Sequence, residues 1–319
     1  SSDLPFQSFT DIIASKTGLR ENKINLATRW GIFFEPVAQL FLEIDCNTHV
    51  LGTDINVPAP FPGHSNSPDG YCVLQVSTVD QNVHIVRSDE CPNEAETIAV
   101  LVEFKCPFTR WPNDVIPKYY APQLHSGLAL SSQIVSVGVF VDTVFRRCSL
   151  QALGPTNIYD RKLHKEQNNP NWDTALAWGI SAIYEPCPIK KDESFTDLGE
   201  CEVPLFKSVM MNVTMGVYQC KHHTPCFADG RGSELHHQEE IDEAIAELTS
   251  NPPAGHTILG ILPWKILQVR YAFIEPRDGF LEEIQPLIHE ALEAMHEVRN
   301  ADDPQAALEA IKARRMLQQ

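Results

Sequence analysis

Three charged residues of this sequence, Asp69, Glu103 and Lys105, have types and positions that could form a chemical site. Glu103 and Lys105 lie two residues apart within the apolar run 101–106. Because side chains alternate across a strand, both charges would point to the same face. Burying charges costs free energy unless they are paired or bind a metal. The pattern therefore indicates either an ion pair on an exposed strand edge or a buried cation site.

Asp69 occupies a Ser67-Pro68-Asp69-Gly70 turn at the start of the next apolar run, 71–79. If that run pairs with the strand of Glu103, the two carboxylates come close together. Carboxylates ~4 Å apart repel each other by roughly 1 kcal/mol in water and about 4 kcal/mol at an effective dielectric constant near 20. A divalent cation such as Mg²⁺ relieves that repulsion and prefers oxygen ligands. A turn with no further role is the alternative, since Pro-Asp-Gly is common in turns.

Glu35 is a third acid in unusual surroundings. On a helix its neighbours at three and four positions include Gly31, Ile32 and Ala38, a half-apolar surface of small residues. Glu35 therefore faces a site or marks the end of a surface face. Tyr120 and Gln123 are three apart, so one helical turn could present a phenol and an amide to a phosphate; a packing aromatic and a surface amide are the alternative.

The elements that must position these residues follow from apolar periodicity. The first 150 residues predict helix, strand, strand, helix and strand in that order, which is an α/β core. Helical spacing covers 9–20 and 26–44, where Pro36 allows a kink or a helix start near Glu35. Two apolar runs, 71–79 and 83–86, precede a buried strand at 98–106, and a helix at 119–130 and a strand at 134–142 follow. In the second half, helices are predicted over 175–184, 239–248 and 281–298, and strands over 257–262 and 265–274. A last helix would be capped by Asp303 and Pro304, and residues 185–233 are unassigned.

Charge is segregated along the 319 residues. The chain has a net charge of −17, and residues 234–309 alone hold 16 acidic and 4 basic residues. A basic groove elsewhere could still hold a polyanion, because net charge says little when charge is uneven. Nine cysteines without framework spacing, and no secretory leader or apolar span, predict an intracellular protein with reduced thiols and no membrane partner.

Four motifs in order resemble the lambda-type (YqaJ-like) exonucleases of the PD-(D/E)xK nuclease superfamily, most of all the versions in nucleocytoplasmic large DNA viruses. The likeness is strongest over residues 29–148. The motifs are Gly31-x-x-x-Glu35, Ser67-Pro68-Asp69-Gly70, Val102-Glu103-Phe104-Lys105-Cys106-Pro107 and Tyr120-x-x-Gln123.

The resemblance implies a single nuclease domain, 1–319, with a restriction-endonuclease-like core. Such a core is a mixed central sheet flanked by helices. Here residues 185–319 would complete the sheet and add an acidic, largely helical C-terminal extension. The implied activity is Mg²⁺-dependent hydrolysis of linear double-stranded DNA from the 5′ end, with Mn²⁺ as a substitute, in viral DNA recombination, repair or genome processing.

The resemblance also implies roles for individual residues. Asp69, Glu103 and the carbonyl of Phe104 would hold metal, Glu35 would hold a second metal, and Lys105 would orient or help deprotonate the attacking water. Gln123 would support the site, and the expected phosphate contacts are Tyr120, Arg110 and Ser2. The arginine that usually precedes the Ser2-type motif would lie upstream of Ser1, outside this sequence.

The expected partners are double-stranded DNA ends, a homo-oligomer, and a single-strand annealing or replication protein, in the host cytoplasm or the virion. Two other functions stay open: an endonuclease or RNA-degrading enzyme on the same core, and a non-catalytic module that binds DNA or a host protein. Cys220, His222 and Cys226 are candidate zinc ligands, although their spacing fits no common zinc module and scattered residues are the default interpretation.

Overall fold

The structure is a computed structural model that describes residues 8–20, 26–79, 82–88, 90, 95–113, 115–150, 153, 175–186, 205–213, 233–250, 252 and 255–318. It is a mixed α/β fold, as the sequence predicts. The described residues include six helices: α1 Phe9–Lys16, α2 Leu26–Asp45, α3 Ala121–Leu130, α4 Ser233–Ser250, α5 Phe280–Asn300 and α6 Pro304–Gln318. Among the described residues, no helix is both long and apolar enough to cross a membrane.

Seven of the strands form one sheet, in the order β4-β3-β5-β6-β9-β7-β8. A separate two-stranded ribbon is formed by β1 and β2. The strands are β1 Val57–Pro58, β2 Ser65–Asn66, β3 Gly70–Val79, β4 Asn82–Ile85, β5 Glu96–Lys105, β6 Val137–Arg147, β7 Ala177–Pro186, β8 Leu205–Val213 and β9 His256–Ile274. Strands from the second half of the sequence thus extend the sheet of the first half.

The pair β5 and β6 is parallel, whereas the other pairs in the seven-stranded sheet are antiparallel. Parallel neighbours need a crossover connection, and α3 provides it. Strands β3 and β5 pair antiparallel with Gly70 opposite Val102. This pairing confirms the expectation that the strand after Asp69 lies beside the strand of Glu103.

The two faces of β5 pack against different helices. Val102 and Phe104 lie in the core cluster of α2, whereas Leu101 lies in that of α3. Phe34 of α2 stacks on Phe145 of β6, with ring centroids 4.2 Å apart. The C-terminal end of β5, which carries the charged residues, is therefore held rigidly between two packed layers.

Two predictions for the second half were wrong. Residues 177–186 form strand β7 instead of a helix, because both faces of this central strand are buried and its apolar run lacks the alternation that identifies a strand. The two strands predicted on either side of Pro263 are one continuous strand, β9. Pro263 pairs with Ile180 of β7, but its carbonyl accepts from the backbone N–H of Cys148, so its backbone polar groups face β6. The β6 pairing ends opposite Trp264, so the missing N–H of Pro263 falls just beyond that ladder.

The other predicted elements are present, but some of their ends lie several residues away: α4 begins at Ser233 instead of 239, and β6 ends at Arg147 instead of 142. Helix α2 begins at Leu26, so a helix start near Glu35 is wrong, and Pro36 lies inside the helix. The predicted cap of the last helix is confirmed, because the carboxylate of Asp303 accepts from the backbone N–H groups of Gln305 and Ala306.

Candidate functional site

Asp69 is positioned by the turn that begins β3. Because Gly70 pairs with Val102, Asp69 lies beside Glu103, which follows Val102 on β5. A side chain at position 70 would collide with Val50, so the tight Pro-Asp-Gly turn requires a glycine here. The backbone N–H of Phe104 donates to Asp69 Oδ2 at 2.7 Å, which fixes the carboxylate against β5.

The ammonium group of Lys105 is the point on which the site converges. Lys105 Nζ lies 3.8 Å from Asp69 Oδ2 and donates to the carbonyl oxygen of Phe104 at 2.9 Å. It also forms an ion pair with the carboxylate of Glu103. The three oxygen donors that the sequence assigned to a metal therefore surround one cation.

The carboxyl groups of this cluster are withdrawn from solvent. The Glu103 side chain is only 1% exposed and that of Asp69 16% exposed. Burial raises the pKa of Glu103 to about 7, despite the opposing effect of Lys105 and with smaller contributions from Asp69 and Glu35. Burial likewise raises the pKa of Asp69, against the effects of Lys105 and the Phe104 N–H.

The same surroundings favour the charged form of Lys105, whereas they disfavour the charged forms of Asp69 and Glu103. Its burial acts to lower its pKa, but Glu103 and Asp69 outweigh that effect, and the pKa of Lys105 lies above its ordinary value. An ion pair alone would lower the pKa of the carboxyl partner, so the raised value of Glu103 means that desolvation is the larger effect. The cluster is thus short of positive charge.

Glu35 of α2 belongs electrostatically to this cluster. Burial, followed by the carboxylate of Asp69, raises its pKa to about 7, against the effect of Lys105. Glu35 in turn raises the pKa of Glu103. The structure thus brings Asp69, Glu103 and Lys105 into direct contact, and the charge of Glu35 acts on them.

The start of α3 forms another wall of the site. Lys105 Nζ lies 5.3 Å from the centre of the Tyr120 ring, and Tyr120 packs on Phe140 of β6. Gln123 is half-buried on the first turn of α3, where its backbone N–H donates to the Tyr120 carbonyl. The phosphate contact of Tyr120 and the supporting role of Gln123 stay predictions.

Arg110 is engaged by a residue that the sequence analysis missed. Its guanidinium forms two hydrogen bonds with Asp142, at 2.5 and 2.9 Å, and the Asp142 side chain is 4% exposed. Asp142 is paired in register with Lys105 on the neighbouring parallel strand. A lone acid in the apolar run 137–145 was the available signal. The phosphate contact of Arg110 stays a prediction. A guanidinium that makes it would already be oriented by the Asp142 carboxylate.

The segment before Asp69 is fixed on α3. His64 Nε2 and Ser126 Oγ are 2.7 Å apart and share a hydrogen bond. A Cβ at Gly127 would lie 2.7 Å from Asn66 Nδ2, so the glycine permits this close approach. These contacts position the turn that carries Asp69.

The donor set suits a hard divalent cation, because it consists of carboxylate and carbonyl oxygens. Within the described part of the chain, no three acidic, histidine or cysteine side chains already stand together as a metal site. Lys105 Nζ lies among the oxygens instead. Ser2 and the candidate zinc ligands Cys220, His222 and Cys226 fall outside the described residues.

Comparison with known proteins identifies relatives but no activity. No model of a known protein family matches the sequence. Protein D345L of African swine fever virus, from a Malawi tick isolate, is 31% identical over 314 residues, covering 96% of this chain and 83% of that protein. The versions from the Vero-adapted Badajoz strain and a South African tick isolate are 30% and 29% identical over the same length. The chain therefore belongs to the family of the African swine fever virus protein D345L.

Proposed function

We propose that this protein is a metal-dependent deoxyribonuclease with a restriction-endonuclease-like core, which degrades linear double-stranded DNA from the 5′ end. One observation carries the proposal: oxygens of Asp69, Glu103 and Phe104 converge on a single cationic group at the C-terminal end of a buried strand. Four titratable side chains with raised pKa values in one place are typical of catalytic sites.

In this proposal each residue has a chemical role. Asp69, Glu103 and the Phe104 carbonyl would hold Mg²⁺ or Mn²⁺, and Glu35 would bind a second ion directly or through water. When bound there, such a cation would supply positive charge for the phosphate and would make a bound water more acidic. Lys105 keeps its proton at Nζ and orients the attacking water, while the Arg110–Asp142 pair and Tyr120 line the approach of the phosphate backbone.

The relatives are proteins of African swine fever virus. The proposed activity would therefore act in a viral setting, as part of DNA recombination, repair or genome processing inside the infected cell or in the virion. Double-stranded DNA ends, a homo-oligomer and an annealing or replication partner belong to the same proposal. The acidic C-terminal helices would face away from the DNA, because like charges repel.

The decisive experiment is digestion of an end-labelled linear duplex in the presence of Mg²⁺. We expect release of mononucleotides, faster from a 5′-phosphate than from a 5′-hydroxyl end. Asp69→Asn and Glu103→Gln should abolish release. The matched controls Asp54→Asn and Glu96→Gln, at exposed acids outside the cluster, should retain it. Full activity of both site variants would refute the site.

The alternatives give different results in the same assay. Cleavage of covalently closed circular DNA would indicate an endonuclease, and preferential cleavage of RNA would indicate a ribonuclease. If no substrate is cleaved and calorimetry detects no Mn²⁺ binding, the protein is a non-catalytic binding module instead.

A further inference from the structure

The oxygens that would bind a divalent ion already surround another cation, the ammonium group of Lys105. Lys105 Nζ lies 3.8 Å from Asp69 Oδ2 and forms an ion pair with Glu103. It also donates to the carbonyl oxygen of Phe104 at 2.9 Å. These are the three donors that the proposed function assigns to Mg²⁺ or Mn²⁺, and two cations that share them would repel each other strongly at such short range. The donors can therefore bind a divalent ion only if Lys105 Nζ moves away from them.

A second acid, Asp142, stands beside Lys105 and has no part in the proposed donor set. Asp142 is paired in register with Lys105 on the neighbouring parallel strand β6, so both side chains point to the same face of the sheet. Each Asp142 oxygen accepts one hydrogen bond from Arg110, whereas a carboxylate offers about four acceptor positions. Asp142 can therefore accept from Lys105 without losing Arg110. Burial raises the pKa of Asp142, and Arg110 and Lys105 act in the opposite direction, so the charge of Lys105 already acts on this carboxylate.

The ring of Tyr120 lies on the other side of the ammonium group. Lys105 Nζ is 5.3 Å from the ring centre, near the outer limit of about 6 Å for a cation–π interaction. The attraction therefore grows if Nζ moves from the oxygens toward the ring. The ring itself is held by its packing on Phe140 of β6. The Lys105 side chain is 21% exposed and has a flexible stem, so Nζ can shift while the backbone stays in β5.

We propose that Asp142 and Tyr120 are positioning residues, which receive the Lys105 ammonium group when its three oxygen donors bind a divalent ion. The inference rests on the proposed function, since it requires an ion at those donors. It adds that Lys105 competes with the ion and so helps to set its affinity. It also adds that two side chains outside the donor set determine where the ammonium group lies next to the reacting phosphate.

Nuclear magnetic resonance of the full chain with isotope-labelled lysine reports the position of Lys105 directly. Its ε-methylene signal is identified by its loss in Lys105→Met, and Mg²⁺ is the probe because it is diamagnetic. We expect Mg²⁺ to shift this signal upfield, because an aromatic ring shields groups that lie over its face. The upfield shift should be absent in Tyr120→Leu and kept in Tyr120→Phe, which retains the ring. The signal of Lys312, an exposed lysine paired with Glu309, should not move.

Calorimetric titration with Mg²⁺ in mildly alkaline buffer tests the coupling between these residues. Tyr120→Leu should weaken Mg²⁺ binding by about threefold to tenfold, because the displaced ammonium group loses the ring. In the Lys105→Met background the same substitution should have no effect, whereas a residue that only supports the fold would weaken binding in both backgrounds. Asp142→Asn should likewise weaken binding more in the presence of Lys105 than in Lys105→Met. The matched control Asp54→Asn, at an exposed acid outside the cluster, should leave the affinity unchanged.

The outcomes separate this inference from the proposed function. If Mg²⁺ binds but the Lys105 signal does not move upfield, the inference is wrong and the proposed function stands. The same conclusion follows if Tyr120→Leu and Asp142→Asn each change Mg²⁺ affinity equally in both backgrounds. If neither wild type nor Lys105→Met binds Mg²⁺, both the inference and the proposed function are wrong. The wild-type signal decides the question even if Asp142→Asn fails to fold because Arg110 has lost its partner.

Discussion

Removing the ammonium group of Lys105 tests the electrostatics on which the proposed site depends. Lys105→Met keeps the length of the side chain and removes its charge. Glu103, whose side chain is 1% exposed, then loses its ion-pair partner, and the carbonyl of Phe104 loses a donor. We therefore expect a large and pH-dependent loss of stability.

The direction of the pH dependence follows from the pKa of Glu103. Burial raises that pKa to about 7 in the folded protein from an ordinary value of 4.5. Its stabilising contribution is therefore complete below 4.5 and is lost as the pH rises through 7. Lys105 lowers the pKa of Glu103, so in Lys105→Met the raised pKa moves higher still, and the loss continues further into the alkaline range.

The size of the stability loss in Lys105→Met depends on how completely the Lys105–Glu103 ion pair is buried. Breaking a buried ion pair by removing one partner costs about 3–5 kcal/mol. The 21% exposure of the Lys105 side chain favours the lower end, so we expect a loss of about 3 kcal/mol at about pH 8.5. At about pH 5.5 Glu103 is protonated, and the loss should be at most about 1 kcal/mol.

Urea denaturation at the two pH values, with and without Mg²⁺, measures these differences. Millimolar Mg²⁺ should restore more stability to Lys105→Met than to wild type, because the ion can replace the missing positive charge. The matched control is Lys312→Met, which removes an exposed lysine paired with exposed Glu309. Equal losses at both pH values, or a Lys105→Met variant as stable as wild type in alkaline buffer, would refute the reasoning.

Three further predictions concern the site and the packing that supports it. In Gly127→Ala the new Cβ would lie 2.7 Å from Asn66 and from Leu101. We therefore expect the free energy of unfolding, measured by urea denaturation, to fall by about 1–3 kcal/mol, and DNA digestion to slow. Wild-type stability of this variant would contradict the prediction. Phe34→Ala should cost about 3–5 kcal/mol by loss of its stack on Phe145, whereas truncation of an exposed side chain of α2 should not. Burial raises the pKa of both site glutamates, Glu35 and Glu103, to about 7. Because each glutamate that binds a cation must first lose its proton, Mn²⁺ affinity measured by calorimetry should fall by roughly tenfold per pH unit below 7 for one such glutamate and by about a hundredfold for two, and a flat profile would contradict this.

The contacts that could be predicted from the sequence are those set by local alternation. Glu103 and Lys105 share a face because they lie two apart on a strand. Asp69 reaches them because its turn opens the strand that pairs next to β5. Helix periodicity likewise predicted α2 and hence a candidate position for Glu35, and the charges of Asp69 and Lys105 act on the pKa of Glu35 after the larger effect of its burial.

The contacts that could not be predicted depend on strand register across a crossover. Asp142 lies opposite Lys105 only because β6 returns parallel to β5 after α3, and no local pattern specifies that register. The buried carboxylate of Asp45, which accepts from Arg87 and from Tyr271, is similar, since Tyr271 is 226 residues from Asp45 along the chain. The strand β7 was missed because central strands buried on both faces lack alternation.

The charge balance of the cluster gives the strongest physical reason to expect a divalent ion. Of the described acids there, Asp142 is matched by Arg110, whereas Glu35, Asp69 and Glu103 share the single ammonium of Lys105. Fully ionised, these three carboxylates would leave two negative charges uncompensated in a buried site, which is costly. The protein limits that cost by raising carboxyl pKa values, so the site is partly protonated near neutral pH. An ion of charge +2 would remove the imbalance and allow all three carboxyl groups to ionise, whereas a monovalent ion would leave one negative charge unmatched. Mg²⁺ should therefore stabilise the folded protein near neutral pH, and K⁺ at the same ionic strength should not.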